Sequence, residues 1–306
     1  MRVLVTGSAG RLGRSLALGL VGHGHEVIGA DRAVAGLAGV DERTADLADE
    51  ASVAALLADV RPDAIVHLAA IAVPFSAPER EILVTNTTIA QTVLAAAAAA
   101  GVGRVLAASS PTVIGYGVPG WAPTRLPLDE THPVAPSNAY AVSKVVIEEL
   151  ARRFARTEPG AFGFFRPCYV ISPEEWAGAP TQQGHTIAER LADPALAAVS
   201  LFNYVDARDV ADFAAAWLAA PAEAVDGEGF FVGAPDALAT RPVAELRREF
   251  APALGADADR LTGTSPVFSS AKAERVLGWR ARRTWRSETA VPASPTPATT
   301  RETSLR

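Results

Sequence analysis

A glycine-rich turn near the start of the chain restricts the fold more than any other feature. Residues 2–5 (RVLV) form a short apolar, β-branched run of the kind that makes a buried strand. Gly7, Gly10 and Gly13 follow directly, and apolar residues then recur at helical spacing over 12–20. A strand, a glycine turn and a helix in this order begin a βαβ unit, so the sequence predicts a parallel α/β sheet.

The three glycines have separate physical roles in a turn that binds a dinucleotide. One permits the tight turn, one lets the backbone approach a pyrophosphate, and one lets the helix pack closely on the strand. The helix that follows directs free N–H groups and the positive end of its dipole at the phosphates. An ordinary glycine-rich turn is the alternative, but the flanking strand and helix and a downstream acid favour nucleotide binding. The residues expected to bind the phosphates are Gly7, Gly10, Arg11, Leu12 and Gly13.

A carboxylate ends the second predicted strand, residues 25–31 (HEVIGAD). Asp31 lies about twenty residues beyond the glycines, where a carboxylate accepts hydrogen bonds from both hydroxyls of the adenosine ribose. Because it repels a 2′-phosphate, Asp31 favours NAD over NADP. Arg32 weakens this preference, since an arginine there can accommodate the phosphate, so NADP stays an alternative. A structural Asp31 that caps a helix or a turn is the other interpretation.

Strands and helices continue to alternate along the chain. Apolar strands are predicted at 64–70 and 104–110, and a long helix is expected to open at Asn86 and to run to residue 100. This rhythm indicates right-handed βαβ units and a doubly wound parallel sheet, the Rossmann arrangement. The strand at 64–70 ends in residues that leave room for a ligand in the crevice above the sheet, namely Leu68, Ala69 and Ala70.

Two residues at helical spacing provide the chemistry of proton transfer. Tyr140 and Lys144 lie four residues apart on a predicted helix and project from one face. A phenol is a poor base at neutral pH, but a neighbouring ammonium and a positively charged nicotinamide both favour the phenolate. Ser110, at a strand end, is expected to hold the substrate's hydroxyl or carbonyl oxygen while Tyr140 exchanges its proton. His67, inside an apolar strand, is expected to pack rather than to act as a base.

Together these segments resemble the extended short-chain dehydrogenase/reductases, the NAD-dependent epimerase/dehydratase family. The resemblance covers residues 1 to 286, and its motifs follow the family's order. The matching motifs are TGxxGxxG at 6–13, Asp31, Asp46-Leu47, HLAA at 67–70, Asn86, Ser109-Ser110, Tyr140-x-x-x-Lys144, Arg166-Pro167, YVDARDVA at 204–211 and KAERVLGW at 272–279.

The resemblance implies further contacts with NAD. In this family Asp46 and Leu47 would flank the adenine, and Lys144 would also hold the nicotinamide ribose. The backbone from Pro167 to Val170 would receive the carboxamide, and Asn86 is expected near the cofactor. NAD carries the hydride chemistry in such enzymes, while the protein supplies orientation and the proton relay.

Departures from the family's motifs narrow the range of reactions that the chain is expected to catalyse. Dehydratases of the family carry an Asp-Glu pair where this chain has Pro111-Thr112. Tyr169 stands where nucleotide-sugar epimerases usually have an asparagine, and Phe202 where they tend to have an arginine that neutralises the diphosphate. The strand end at 107–115 is similar to that of uronate dehydrogenases, although Pro111 replaces a polar residue.

We therefore expect an NAD-dependent oxidoreductase that transfers a hydride between nicotinamide and a carbinol or carbonyl carbon of a small sugar-like or hydroxylated substrate. The alternative is an epimerase, acting on sugars or nucleotide sugars, that retains its NAD and returns the hydride to the opposite face. A protein that binds NAD without catalysis is the third interpretation. The intact residues Ser110, Tyr140 and Lys144 argue against it, because binding alone needs no proton relay.

The sequence also predicts how the chain is divided. Residues 1–165 are expected to form the dinucleotide-binding domain, and 166–289 a smaller substrate-covering part that returns some chain to the sheet. Residues 290–306, rich in Pro, Thr, Ser and Ala, indicate a mobile tail. The long loop 116–131 is expected to border the substrate. Arg190 is interpreted either as a contact for a substrate anion or, more simply, as a surface arginine.

Composition argues against several other functions. A net charge of −6 without a basic tract argues against nucleic-acid binding. The single cysteine, Cys168, excludes an internal disulfide and a cysteine-based zinc site, and it fits a reducing cytoplasm. No metal site and no secretory signal are predicted, and the alanine run 95–100 is too short to span a bilayer. The expected partners are a small-molecule substrate and, by the family resemblance, a second copy paired through the helices at 86–100 and 140–156.

Overall fold

The strands of the protein, in a computed structural model that describes residues 1–289, build one large sheet and one small one. They are β1 (Arg2–Thr6), β2 (Glu26–Asp31), β3 (Val40–Thr44), β4 (Ala64–His67), β5 (Arg104–Ala108), β6 (Ala161–Pro167), β7 (Val170–Ile171), β8 (Val205–Asp206) and β9 (Gly229–Val232). Seven strands pair in parallel in the order β3-β2-β1-β4-β5-β6-β9. The strand order reverses between β1 and β4, where doubly wound sheets bind ligands.

Helices cover both faces of this sheet. They are α1 (Arg11–Gly22), α2 (Glu50–Val60), α3 (Glu79–Ala99), α4 (Ala139–Thr157), α5 (Pro173–Trp176), α6 (Ile187–Ala192), α7 (Pro194–Ala198), α8 (Ala207–Ala219), α9 (Ala222–Val225), α10 (Val243–Phe250), α11 (Ala271–Leu277) and α12 (Trp285–Glu288). Successive side chains of a strand point to opposite faces, so Val3 and Val5 join the core beneath α1 and α8. Leu4 joins the core beneath α2, α3 and α4. The predicted doubly wound α/β fold is confirmed.

The long helix α3 begins earlier than the sequence pattern indicated. Pro78 is its N-cap residue, and Glu79 and Glu81 place negative charge in the first turn, where the helix dipole favours it. Asn86 therefore lies two turns inside the helix, and the expectation that it opens the helix is wrong. The sequence Pro-Glu-x-Glu at 78–81 is the signal for the start of this helix, and the prediction from apolar periodicity overlooked it.

The smaller part of the molecule lies beyond the carboxyl ends of the large sheet's strands. It contains the two-stranded β7–β8 sheet and a separate core of apolar side chains that includes Ile187, Tyr204 and Trp285. The domain division stays a prediction: the boundary after residue 165 falls inside β6, and β9 and α8 return to the large sheet and its covering helices. The tail at 290–306 lies outside the described residues.

One helix of the described chain, α3, is long and apolar enough to cross a membrane by length and composition. It packs on α2 and α4, and the core helices of soluble proteins meet the same criteria.

Candidate active site

Gly7, Gly10 and Gly13 shape the turn between β1 and α1. Gly7 has φ +76°, and a Cβ there would lie 2.7 Å from the backbone nitrogen of Ala69. A Cβ at Gly13 would lie 2.0 Å from the carbonyl oxygen of Gly7, so only glycine lets α1 begin so close to the strand. Gly10 is the N-cap residue, and the first N–H groups of α1 have no partners within the helix. The turn therefore presents a helix N-terminus at the β1–β4 crevice, as a pyrophosphate requires.

The two residues after Gly10 have different surroundings. Leu12 is half-buried and packs against the core beneath α1. The guanidinium of Arg11 lies 2.5 Å from the carboxylate of Glu175 in α5, and Arg14 lies 3.8 Å from Glu174. These ion pairs connect the glycine turn to α5. Arg11 is therefore expected to bind NAD through its backbone N–H rather than through its side chain.

Gly13→Ala is expected to weaken NAD binding by at least about tenfold, equivalent to about 1.4 kcal/mol. The added methyl group displaces the carbonyl of Gly7 and with it the turn that faces the phosphates. Titration of NAD by calorimetry measures the effect. Gly22→Ala is the matched control, because a Cβ at that position of α1 meets no atom within 4 Å. Equal NAD affinity in the two variants would contradict the role given to Gly13.

The predicted adenosine-binding residues lie at the carboxyl ends of β2 and β3. The Asp31 carboxylate accepts hydrogen bonds from the backbone N–H of Ala9 (3.1 Å) and of Arg32 (2.6 Å), which holds it beside the glycine turn. The Arg32 side chain is exposed and bonds to none of residues 1–289. Asp46 is exposed while Leu47 is buried in the core. Their contacts with adenine stay a prediction.

Residues 68–70 follow β4 and are half-buried at the same edge of the sheet. The amide of Asn86 is fully engaged within the protein: its Oδ1 accepts from the Ile71 N–H (2.7 Å). Its Nδ2 donates to the Ile71 carbonyl (3.2 Å) and to the Ser143 hydroxyl (3.1 Å). Asn86 thus fixes the loop after β4 against α4. We expect it to act on the cofactor site by positioning that loop.

The three predicted catalytic residues come together at the carboxyl end of β5. Tyr140 and Lys144 lie in the first turns of α4, which Asn138 caps with its side chain. The Lys144 Nζ donates to the carbonyl of Ala108 (2.9 Å) and lies 5.6 Å from the centre of the Tyr140 ring. Ser110, two residues beyond β5, lies near enough to the Tyr140 phenol to affect its pKa, and its hydroxyl accepts a hydrogen bond from the Thr112 hydroxyl (2.9 Å).

Burial controls the charges of this group. It raises the pKa of Tyr140 to about 12, although the nearby Ser110 hydroxyl acts in the opposite direction. It lowers the pKa of Lys144 to about 8, which leaves the ammonium mostly protonated at neutral pH. Burial, with a contribution from Lys144, lowers the pKa of His67 to about 3, and the ring bonds to the Thr6 hydroxyl (2.8 Å). His67 is therefore a neutral packed residue.

A buried ion pair beneath the site was missed from the sequence. Glu148, four residues after Lys144 in α4, accepts hydrogen bonds from Arg166 at 2.7 and 2.8 Å and from the Ser109 hydroxyl at 2.6 Å. Glu148 and Arg166 are 0% and 2% exposed. The pair fixes the strand end beside Ser110 relative to α4. A charged residue at the same helical spacing as Tyr140 and Lys144 was the signal that could have found it.

The substrate side of the site is formed by residues from distant segments. Pro167 ends β6 and Val170 opens β7, and their contact with the carboxamide stays a prediction. Between them, the Tyr169 N–H donates to Asn203 Oδ1 (2.8 Å). Asn203 also lies near enough to the buried Tyr116 to affect its pKa, and Tyr116 opens the long loop predicted to border the substrate. Burial raises the pKa of Tyr116, and the nearby Cys168 and Tyr140 add to this effect.

Arg190 is buried, at 0% exposure, so its interpretation as a surface residue is wrong. A six-residue helix such as α6 is too short for the periodicity of its sequence to show which face is covered.

Among residues 1–289, no cluster of three His, Cys, Asp or Glu side chains has the geometry of a metal site. The glycine turn and the Asp31 carboxylate at the adjacent strand end fit a dinucleotide.

Comparison with known proteins agrees with this geometry. Residues 3–233 match the model of the NAD-dependent epimerase/dehydratase family. The chain is 31% identical over 308 aligned positions to a UDP-glucose 4-epimerase of Mycolicibacterium smegmatis, covering 92% of this chain and 93% of the relative. It is 30% identical to a 2-alkyl-3-oxoalkanoate reductase of Stenotrophomonas maltophilia, covering 84% and 76%. The chain spans less than half the length of several other curated epimerases that it matches.

The fold is shared with solved structures. A short-chain dehydrogenase/reductase superfamily protein from Agrobacterium tumefaciens, solved with bound NAD, superposes with a TM-score of 0.70 at 24% identity, over 94% of each chain. The family match covers both the cofactor-binding turn and the Tyr140–Lys144 pair. The chain therefore belongs to the NAD-dependent epimerase/dehydratase family and is an NAD-dependent enzyme of the extended short-chain dehydrogenase/reductase type.

Proposed function

We propose that the protein is a dehydrogenase or reductase that acts at one carbinol or carbonyl carbon of a small sugar-like or hydroxylated substrate. The observation that carries this proposal is the buried Tyr140 phenol, near Ser110 and with the Lys144 ammonium 5.6 Å from the centre of its ring. NAD, when bound, accepts a hydride from the substrate carbon or returns one to it. The catalytic roles of Ser110, Tyr140 and Lys144 are part of the proposal.

The protein's own residues move the proton. Ser110 holds the substrate oxygen beside Tyr140, so that the phenol and this oxygen share a hydrogen bond. With its pKa raised to about 12, Tyr140 is protonated at neutral pH and can donate to a carbonyl oxygen during reduction. In the oxidative direction it takes the hydroxyl proton as phenolate, and the ammonium of Lys144 stabilises that charge.

The arginines near the substrate side argue for a small substrate rather than a nucleotide sugar. Phe202 is fully buried and has φ +59°, so its side chain is committed to the core. Arg208 is bonded to Asp206 and Glu288 and is not available for a diphosphate. Arg11 is likewise paired with Glu175. A nucleotide diphosphate would find neither of these two guanidinium groups free.

An epimerase that retains NAD is the second candidate. The similarity to the M. smegmatis UDP-glucose 4-epimerase extends over nearly the whole of both chains and favours it. Such an enzyme uses the same tyrosine–lysine pair but shows no net change in its cofactor. Net cofactor turnover therefore separates the two functions.

Purified enzyme given excess NAD and a panel of aldoses, sugar acids and hydroxy acids is expected to accumulate NADH with at least one compound. Absorbance of the reduced nicotinamide follows the reaction, and the panel is repeated with NADP to test the preference assigned to Asp31. An enzyme that retains NAD through dialysis, produces no NADH and interconverts two sugar epimers is an epimerase. Binding of NAD without either reaction would support the non-catalytic alternative.

The family resemblance extends the proposal to the location and assembly of the protein. We propose a cytoplasmic homodimer in which α3 and α4 of two copies pair across a two-fold axis. These two helices pack against each other within the chain, and the side chain of Val84 on α3 is 53% exposed. Nucleic acid and membranes have no part in the proposed function.

A further inference from the structure

Arg190 is a fully buried arginine without an acidic partner. Its Nη1 donates to the side-chain oxygen of Gln183 (2.5 Å), and its Nη2 makes a long contact of 3.5 Å with the Ser200 hydroxyl. The guanidinium lies 4.3 Å from the centre of the Tyr169 ring. None of the carboxylates in residues 1–289 lies within ion-pair distance of it. Because a guanidinium stays charged, burial without a counter-charge is costly.

Two other arginines of the same chain show what this side chain binds when it is paired. Arg166 donates from Nε and Nη2 to the two oxygens of Glu148, at 2.7 and 2.8 Å. Arg208 donates from the same two atoms to Asp206. The edge of the guanidinium formed by Nε and Nη2 has the spacing to donate to both oxygens of one carboxylate. In Arg190 the Nε atom of that edge has no hydrogen-bond partner in the described chain.

Two buried groups on residues that contact Arg190 or lie in the loop carrying Gln183 are also unpartnered in the described chain. They are the phenol oxygen of Tyr169 and the hydroxyl oxygen of Thr181. Buried polar side chains nearly always have a hydrogen-bond partner, so several exceptions around one guanidinium point to a ligand. A carboxylate offers about four acceptor positions, enough for Arg190 and both hydroxyls.

This cluster joins the substrate side of the catalytic site. Tyr169, which stacks on Arg190, is bonded through its N–H to Asn203. Tyr169 also lies between Pro167 and Val170, the segment predicted to receive the carboxamide of NAD, and β6, which precedes it, pairs with β5, the strand that precedes Ser110. A substrate that reaches Tyr140 can therefore extend towards Arg190.

A short loop covers Arg190 in this structure. The loop runs from Gly178 to Gly184, and both of these glycines have positive φ, +101° and +84°. A Cβ at either would meet no atom within 4 Å, so the ends of the loop are not confined by packing. Gln183 lies in this loop and is itself exposed, while its amide oxygen contacts Arg190. When a substrate carboxylate takes the place of this neutral amide, its contact with Arg190 becomes a charge-assisted hydrogen bond.

We propose that Arg190, with Tyr169 and Thr181, binds a carboxylate group of the substrate when the exposed side chain of Gln183 swings away from the guanidinium. The inference rests on the proposed function, because it assigns the substrate class of the reaction at Tyr140. The substrate is then a hydroxylated or keto acid, and Arg190 selects it over the neutral counterpart.

The test compares acids with matched neutral compounds, such as hexuronates with the corresponding hexoses and hydroxy acids with their amides. Wild-type enzyme is expected to turn over acids with a KM at least about tenfold lower than that of their neutral counterparts. Arg190→Gln is expected to raise the KM for acids by about 10- to 100-fold, as loss of a charge-assisted bidentate contact does, with kcat nearly retained. Its NAD affinity and its KM for neutral compounds are expected to be unchanged.

Two milder variants keep the test decisive where Arg190→Gln fails to fold. Tyr169→Phe retains the stacked ring but loses the hydroxyl, and it is expected to raise the KM for acids only. Gln183→Ala removes the competing amide and is expected to lower that KM, whereas Gln182→Ala, at the exposed neighbouring position, is the matched control. An unchanged preference for acids in both Tyr169→Phe and Gln183→Ala would overturn the inference.

The two levels of proposal fail in different ways. Turnover of acids and neutral compounds with equal KM, abolished by Tyr140→Phe, would overturn the role of Arg190 and leave the proposed function standing. Absence of turnover, with acids raising the melting temperature of wild type but not of Arg190→Gln, would support the anion site and overturn the proposed function. If no compound of the panel is turned over and acids stabilise the wild type no more than their neutral partners do, both are wrong.

Discussion

Tyr140→Phe is expected to lower turnover by about 10²- to 10⁴-fold, the range that a positioned general acid or base contributes. The variant loses one oxygen atom, the phenol oxygen that lies near Ser110 and that the Lys144 ammonium stabilises as phenolate. Because the ring is retained and is 8% exposed, the packing of α4 on the sheet is expected to persist. NAD binding, measured by calorimetry, is expected to stay within about a factor of three, a small difference on the scale of 1.4 kcal/mol for tenfold.

Tyr204→Phe provides a contrasting control for the loss of a buried phenol. Its hydroxyl donates to Asp236 and accepts from the backbone N–H of Trp285, in the core of the smaller part. The variant is expected to lower the melting temperature while keeping kcat close to wild type. Steady-state kinetics and thermal unfolding of both variants separate the two effects. Near-normal turnover by Tyr140→Phe would remove this residue from the mechanism.

The part of the site that the sequence could predict is the part that depends on local spacing. The turn at Gly7, Gly10 and Gly13 needs its glycines for contacts within a few residues, so its pattern is visible in the chain. Tyr140 and Lys144 are one helical turn apart, and that spacing alone places them on one face. Parallel β–α alternation then placed both features at the same edge of the sheet.

The parts that could not be predicted depend on contacts between distant segments. Arg190 is buried because Tyr169 and the loop carrying Gln183 cover it, and nothing in its own short helix records this. Asn203 was missed because its partner Tyr169 is 34 residues away, and a lone buried asparagine has no periodic signature. Such residues follow from the tertiary structure rather than from a local pattern.

Loss of the buried carboxylate beneath the site is expected to have the largest effect on stability. Glu148→Ala is expected to lower the free energy of unfolding by about 3–5 kcal/mol, the usual consequence of leaving a buried charge uncompensated. Arg166 then lies between the rings of Phe164 and Phe231 without its counter-ion. The Ser109 hydroxyl also loses its acceptor, so kcat is expected to fall together with stability. Denaturant unfolding and steady-state kinetics measure the two effects.

The neighbouring residue supplies the matched control. Glu149 is bonded to Arg152 at 2.5 Å, but its side chain is 60% exposed, so Glu149→Ala is expected to cost only about 0–1 kcal/mol. The double variant Glu148→Leu with Arg166→Met is expected to recover much of the lost stability, because apolar residues of similar volume often replace a buried pair without loss. It is not expected to recover activity if the pair positions the strand end beside Ser110. Equal destabilisation by Glu148→Ala and Glu149→Ala would show that the buried pair has no special structural role.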